Sequence, residues 1–166
     1  MRSACYVRKG ETIVAPASVE LHAGERLAHR CSTELEAGTL AMMASAIARA
    51  TSGSVLIGEY DPKVQPVHCK KLAAFVPHEP LPLQRHELDR YITYRAALWN
   101  VDPQAARAQA SSLLEKLDGM HEAFAYPIIG ALIGLPRLLV LDRPQEVFRA
   151  QIDDAAGDCA VFTTHL

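Results

Sequence analysis

Arg137-Leu138-Leu139-Val140-Leu141-Asp142-Arg143-Pro144 is the stretch on which the fold turns. Its unbroken run of branched apolar residues does not alternate between core and solvent, so it reads as a strand buried on both faces, as in parallel sheets. The run ends in Asp142, which delivers one carboxylate to the carboxyl edge of that sheet. Arg143 comes next, and a guanidinium with a pKa above about 12 accepts no proton at ordinary pH. A strand of this kind needs a covering layer on each side, so the expected class is α/β.

Working outward, turn residues punctuate a series of short elements. Glu11–Ala15, Ser18–Leu21 and Arg26–Arg30 read as strands separated by Pro16 and the His22-Ala23-Gly24 turn. Glu34–Ala50 reads as a helix ended by Thr51-Ser52-Gly53. Val55–Ile57 and Leu72–Val76 are further strand candidates, with Pro62 and Pro66 marking an irregular link between them. His86–Trp99 carries Leu88, Tyr91, Ile92, Arg95 and Ala96 at helical spacing. Asp102-Pro103 is an N-cap with proline at the first helical position, opening a helix that runs to near Gly119. A short helix over Ala125–Ile133 precedes the quoted strand, and Cys159–Thr163 is a last strand. Together these imply a mostly parallel sheet flanked by helices, a small N-terminal antiparallel β portion, and a reduced helical lobe at about residues 83–126.

At 166 residues the chain suits one domain with a real core. A net charge of −2 argues against a nucleic-acid surface built on bulk basic charge. No apolar run approaches the roughly 18 residues that span a bilayer, so direct membrane insertion is not expected. Met1-Arg2-Ser3-Ala4-Cys5 has no apolar signal core behind it. Cys5, Cys31, Cys69 and Cys159 are scattered, as reduced cytoplasmic cysteines are.

Four segments, in order and at plausible spacing, share one resemblance. Gly24-Glu25-Arg26-Leu27-Ala28 and Thr51-Ser52-Gly53-Ser54-Val55 resemble the strand before the phosphate loop and the turn after its helix in ATP-binding cassette (ABC) ATPases. Phe75-Val76-Pro77-His78-Glu79-Pro80 resembles the glutamine loop of that family, and Val161-Phe162-Thr163-Thr164-His165 its switch-histidine strand. The opening stretch is then its Walker-B strand. The resemblance covers roughly Thr12 to Leu166 and implies a P-loop NTPase-like fold, in a degenerate and truncated member.

A working phosphate loop reads Gly-x-x-x-x-Gly-Lys-Ser/Thr, so that backbone amides face phosphate and lysine neutralises it. Counted from Gly24, Cys31 stands at the first glycine, Glu36 at the second, Ala37 at the lysine and Gly38 at the Mg²⁺-binding hydroxyl; Thr39 alone matches. Thr33-Glu34-Leu35-Glu36 fits a capping box instead, with Thr33 as N-cap and Glu36 reaching back to it. Such a cap consumes amides that a nucleotide would need, and Glu34 and Glu36 set two carboxylates where triphosphate would dock.

The other stations diverge too. His78 replaces the glutamine, and an imidazole is a poor Mg²⁺ ligand. A zinc site from His68, Cys69 and His78 would have no fourth ligand at a usual spacing. Asp142 and His165 persist at the metal-carboxylate and switch positions, while Arg143 replaces the catalytic glutamate whose role is to orient the attacking water. Tyr6 lies near the place of the adenine-stacking aromatic, at an imperfect offset. The Leu-Ser-Gly-Gly-Gln signature is missing; its place falls near Asp118-Gly119-Met120-His121-Glu122.

By resemblance, the region after the glutamine loop and the helical lobe would receive a permease. Pro80, Leu81, Leu83, Tyr91, Tyr94 and Trp99 are the candidate contacts, with Tyr91 and Trp99 equally suited to packing the lobe. Two functional readings follow. The first is a non-catalytic scaffold or regulatory subunit of a membrane transport complex, with no cofactor and no metal. It would lie in the cytoplasm, held at the inner face of the membrane by a permease subunit or a competent ABC ATPase subunit. The alternative is an ATP-binding subunit with weak residual Mg-ATP binding or turnover, drawing on Lys70 or Lys71 to neutralise phosphate. A third, smaller reading is a ligand-binding domain with a new pocket.

Overall fold

Leu138–Asp142 forms the strand expected of it, central in a four-stranded parallel sheet. The computed structural model describes the whole chain, Met1–Leu166. In chain order the elements are β1 (Arg2–Arg8), β2 (Glu11–Ala17), β3 (Arg26–Arg30), α1 (Glu34–Ala44), β4 (Ser52–Ser54), α2 (Pro66–Leu72) and β5 (Ala73–Val76). There follow α3 (Leu88–Trp99), α4 (Pro103–Lys116), α5 (Glu122–Leu132), β6 (Leu138–Asp142), α6 (Arg149–Ala156) and β7 (Ala160–His165). The parallel sheet runs β3-β7-β6-β5, and a second, antiparallel sheet runs β2-β1-β4.

The continuous apolar character of β6 and β7 has a direct cause: both faces of each are covered. Val140 and Phe162 pack with Leu40 and Met43 of α1 and with Val14 of the antiparallel layer. Leu139, Leu141 and Val161 point the other way, into a larger core with Ile129 from α5, Ile133 just after it and Ile152 from α6. Alternate residues thus serve two cores, as a period of two requires. Arg26 clamps the flank: its guanidinium donates to the carbonyls of Cys159 (2.7 Å), Gly157 (2.7 Å) and Asp153 (3.0 Å), and so fastens the end of α6 to β3.

The helices α3 and α5 are tied together by packing that the sequence periodicity only partly indicated. A Cβ on Gly130 would fall 2.3 Å from the Tyr91 hydroxyl, and one on Gly134 would fall 2.2 Å from the Trp99 indole. Both aromatic rings of α3 therefore lie flush on α5 and the turn after it. Pro127 sits inside α5, where its ring displaces the usual hydrogen bond to the carbonyl four residues back. That freed carbonyl, Ala123, accepts instead from the Leu81 amide at 2.9 Å and pins the loop after β5 to the lobe.

Several boundaries differ from expectation. α1 ends at Ala44, not Ala50: the Ser45 hydroxyl bonds back to the Ala41 carbonyl (3.0 Å) and Ala46 turns with φ 62°. Ser18–Leu21 is not a strand, because Ser18 turns its hydroxyl onto the Ser3 amide (2.9 Å) as the chain leaves β2. Val55–Ile57 is displaced too: the strand lies at Ser52–Ser54, paired to β1, and Ile57 makes only a bridge to Tyr60. Pro66 opens α2 rather than an irregular link, leaving Leu72 helical and starting β5 at Ala73. β1 and α6 were not expected. The buried side of α6 is only Ile152 and Ala156, too narrow a stripe to stand out.

Gly53 is the tightest point between β4 and β1. It has φ 71°, and a Cβ there would lie 2.1 Å from the Ser3 carbonyl oxygen. Gly53→Ala should lower stability by more than the roughly 1–2 kcal/mol of left-handed backbone strain alone, because a backbone atom blocks the methyl. Urea unfolding followed by circular dichroism reads this as a lower midpoint.

Candidate functional site

At the carboxyl edge of the parallel sheet, one carboxylate collects most of the nearby polar atoms. Asp142 is buried, and its Oδ1 accepts from the Thr164 hydroxyl on β7 at 3.1 Å. Arg143 turns back on its neighbour with φ 48°, so that its Nε donates to Asp142 Oδ1 at 3.1 Å and its Nη2 to Oδ2 at 3.4 Å. The same guanidinium reaches across to α1, where Nη1 lies 3.4 Å from Glu34 Oε2. Its backbone amide is held by the Thr164 carbonyl at 3.1 Å. The bond to Asp142, opposed by burial, raises the already high proton affinity of the guanidinium.

Gly38 makes this closeness possible. A Cβ built there would stand 3.2 Å from Asp142 Oδ2, so the helix backbone and the carboxylate meet with no side chain between them. At the start of α1, Thr33 Oγ1 accepts from the Glu36 amide at 3.1 Å, as the capping pattern requires. Glu36 reaches back one residue further than expected, accepting from the Ser32 amide at 2.7 Å rather than from Thr33. The loop between β3 and α1 is thus hydrogen-bonded to its own helix. Cys31 is buried beneath it, and burial, then Glu36 and Asp142, push its thiol up to about 11. Ala37 is fully buried in the core and Thr39 is also buried, so both side chains face inward.

Two histidines border the cluster. His78 Nδ1 lies 3.1 Å from the Arg143 carbonyl oxygen, which makes it a support for the loop after β6. His165 is bracketed by Glu146 (Nδ1 to Oε1, 2.6 Å) and the Thr163 hydroxyl (Nε2 to Oγ1, 2.7 Å). Burial lowers its proton affinity, and the Glu146 carboxylate only partly offsets this. Nothing local in the sequence pairs Glu34 with Arg143, Thr164 with Asp142 or Glu146 with His165; each contact joins elements distant along the chain.

Other candidates lie apart. Lys70 and Lys71 end α2 at the start of β5, the opposite edge of the sheet from Asp142. With strand residues rising roughly 3.3 Å each, that is on the order of 13 Å away. His68 stacks on Tyr60 at 4.7 Å, and the buried Cys69 thiol donates to the Tyr60 carbonyl, so neither meets His78. Tyr6 lies half-buried on β1. Of the surface candidates, Pro80 and Tyr94 are exposed and Leu81 is half-buried, whereas Leu83, Tyr91 and Trp99 pack against the lobe core.

No protein-family model matches the sequence, and no curated protein does. Solved structures do. An ATP-binding subunit of an ABC transporter superposes with a TM-score of 0.78, covering 99% of this chain and 77% of its own, at 13% identity. The chain has the fold of ABC transporter ATP-binding subunits. A putative ABC transporter ATP-binding protein from Pyrococcus furiosus matches with a TM-score of 0.75 over 98% of this chain and 88% of its own, at 11% identity. CbiO1 from Clostridium perfringens, part of the ABC transporter complex CbiONQ, gives 0.71 over 99% and 76%, also at 11%.

Within this ABC fold, Asp142, Arg143, Glu34 and Thr164 join β6, β7 and α1 at one point. Arg143→Met would leave Asp142 buried without its cation, a change that costs about 3 kcal/mol or more. The double variant Asp142→Asn, Arg143→Met should recover over half of that loss in chemical denaturation, because the uncompensated charge is gone.

Proposed function

We propose that this chain is a non-catalytic ABC-type subunit whose nucleotide site is closed by its own side chains. The observation that carries the reading is the Arg143 guanidinium lodged between Asp142 and Glu34. Mg-ATP needs a free carboxylate for the metal, a hydroxyl from the helix start, a lysine, and open amides for phosphate. Here the carboxylate is bonded to Arg143 and Thr164, Gly38 offers no hydroxyl, and Ala37 offers no ammonium. The Ser32 and Glu36 amides are already bonded to side chains. Glu34 and Glu36 add negative charge where the nucleotide would be most negative, which opposes binding further. These residues do not fit Mg-ATP, and no hydrolytic step is assigned to them.

A fold of this kind without turnover acts through contacts. The outer side of α3 exposes Tyr94 and Leu98, each with more than half of its surface free. They are four residues apart, hence on one side of the helix. Pro80, on the loop after β5, is exposed as well. We assign this surface to a transport-complex partner, a membrane permease or a competent ATPase subunit, which makes the chain a scaffold or regulator at the membrane's inner face. No helix of the chain is long and apolar enough to cross a membrane itself.

Calorimetric titration of the purified chain with Mg-ATP should show no saturable heat at micromolar nucleotide. Saturable micromolar binding would overturn the closed-site reading in favour of a weakly active ATPase subunit. Capture of the tagged chain from its own cells should bring down a permease or ATPase subunit, and the Tyr94→Glu, Leu98→Glu double variant should lose it.

A further inference from the structure

Between α5, α6 and the carboxyl end of the parallel sheet the fold leaves a pocket of about 120 Å³. Its floor is made of buried side chains: Val76 and Leu141 from the ends of β5 and β6, Ile128 from α5 and Ile152 from α6. Phe124 and Phe148 also line it and stay half-buried, so each keeps apolar surface uncovered. The mouth lies between the exposed 77–80 loop and Gln145. Eight of the 17 lining residues are hydrophobic and four more are prolines, so an occupant must present an apolar body.

Size and charge narrow the choice. A dry apolar cavity of about 150 Å³ takes benzene or xenon, so a pocket of this volume holds one ring and little more. Water gains little on such a floor: it needs roughly two to four polar partners, and the Asp142 oxygens are already taken by Arg143 and Thr164. The charged lining groups are Asp142, Glu79 and Arg143, two carboxylates against one guanidinium, and that guanidinium is shared with Glu34 as well. A negatively charged guest would have to leave water and meet an excess of like charge.

We propose that this pocket binds a single-ring apolar molecule carrying no negative charge, seated on Leu141 and Ile152 beside Phe124 and Phe148. Burial of the ring supplies the driving force, and the two phenyl groups offer edge or offset contacts to it. The guest touches β5, β6, α5 and α6 at once, at a site that needs neither phosphate nor metal. The proposal does not rest on the closed-site reading, because the floor is apolar whether or not the Asp142 cluster takes nucleotide.

The test is calorimetric titration of the full chain with benzene. Saturable one-to-one binding is expected, with a dissociation constant on the order of 1 mM or tighter, well inside the limit for a ligand of this size. Benzoate should bind about tenfold more weakly or not at all, since its charge must be desolvated beside the carboxylates. Ala123→Phe, at a half-buried lining position, should fill the pocket and abolish benzene binding. Phe148→Ala should enlarge it, so that indole binds this variant about tenfold or more tighter than it binds the native chain. The titration of the native chain decides even where a variant is too unstable to use: no saturable benzene binding overturns the proposal. Benzene binding by Ala123→Phe equal to that of the native chain, indole binding unchanged by Phe148→Ala, or benzoate binding as tight as that of benzene would each overturn it too.

Discussion

A buried carboxylate without a partner is among the most costly things a fold can contain, and Asp142 stands where this chain must place one. The strand that delivers it is covered on both faces, so little of it reaches water. The chain answers with the next residue: Arg143 takes a left-handed backbone conformation, costing roughly 1–2 kcal/mol, and folds its guanidinium back onto both carboxylate oxygens. Thr164 supplies a second donor from β7, and Glu34 from α1 meets the remaining guanidinium nitrogen at 3.4 Å. Two strands and a helix are joined at one electrostatic point. The sheet order, the start of α1 and the loop after β6 are mutually consistent because of it.

The far side of the molecule is secured by shape rather than charge. Gly130 and Gly134 remove the side chains that would hold α3 away, so Tyr91 and Trp99 press on the α5 side of the lobe. Pro127 breaks one helical hydrogen bond, and the freed Ala123 carbonyl receives Leu81. A helix irregularity thus becomes the fastening between the lobe and the loop that leads from β5 past His78. Since His78 in turn meets the Arg143 carbonyl, a continuous path of contacts runs from the lobe to the carboxylate.

Elements with strong local causes were legible. Asp102 caps α4 through the Gln104 and Ala105 amides, with Pro103 behind it, as its dipeptide predicts. Thr33 caps α1, and the branched apolar run became β6. Elements whose partner is distant were not. Ser52–Ser54 carries no strand propensity and is a strand only because β1 lies alongside, while the Val55–Ile57 run, which looks like a strand, has no neighbour to pair with. Tyr91 and Trp99 fitted an interface as well as a core until the glycines opposite them were located.

What the residues alone determined was the α/β class, the buried central strand and the capped start of α1, since these depend on hydrophobic period, capping and side-chain type. What only the tertiary structure decided was where the surviving charges go. Arg143 could have faced solvent, Glu34 could have stood alone, and the pocket above Leu141 could have been filled. Those outcomes depend on distances between segments well separated along the chain, and no local propensity encodes a distance of that kind.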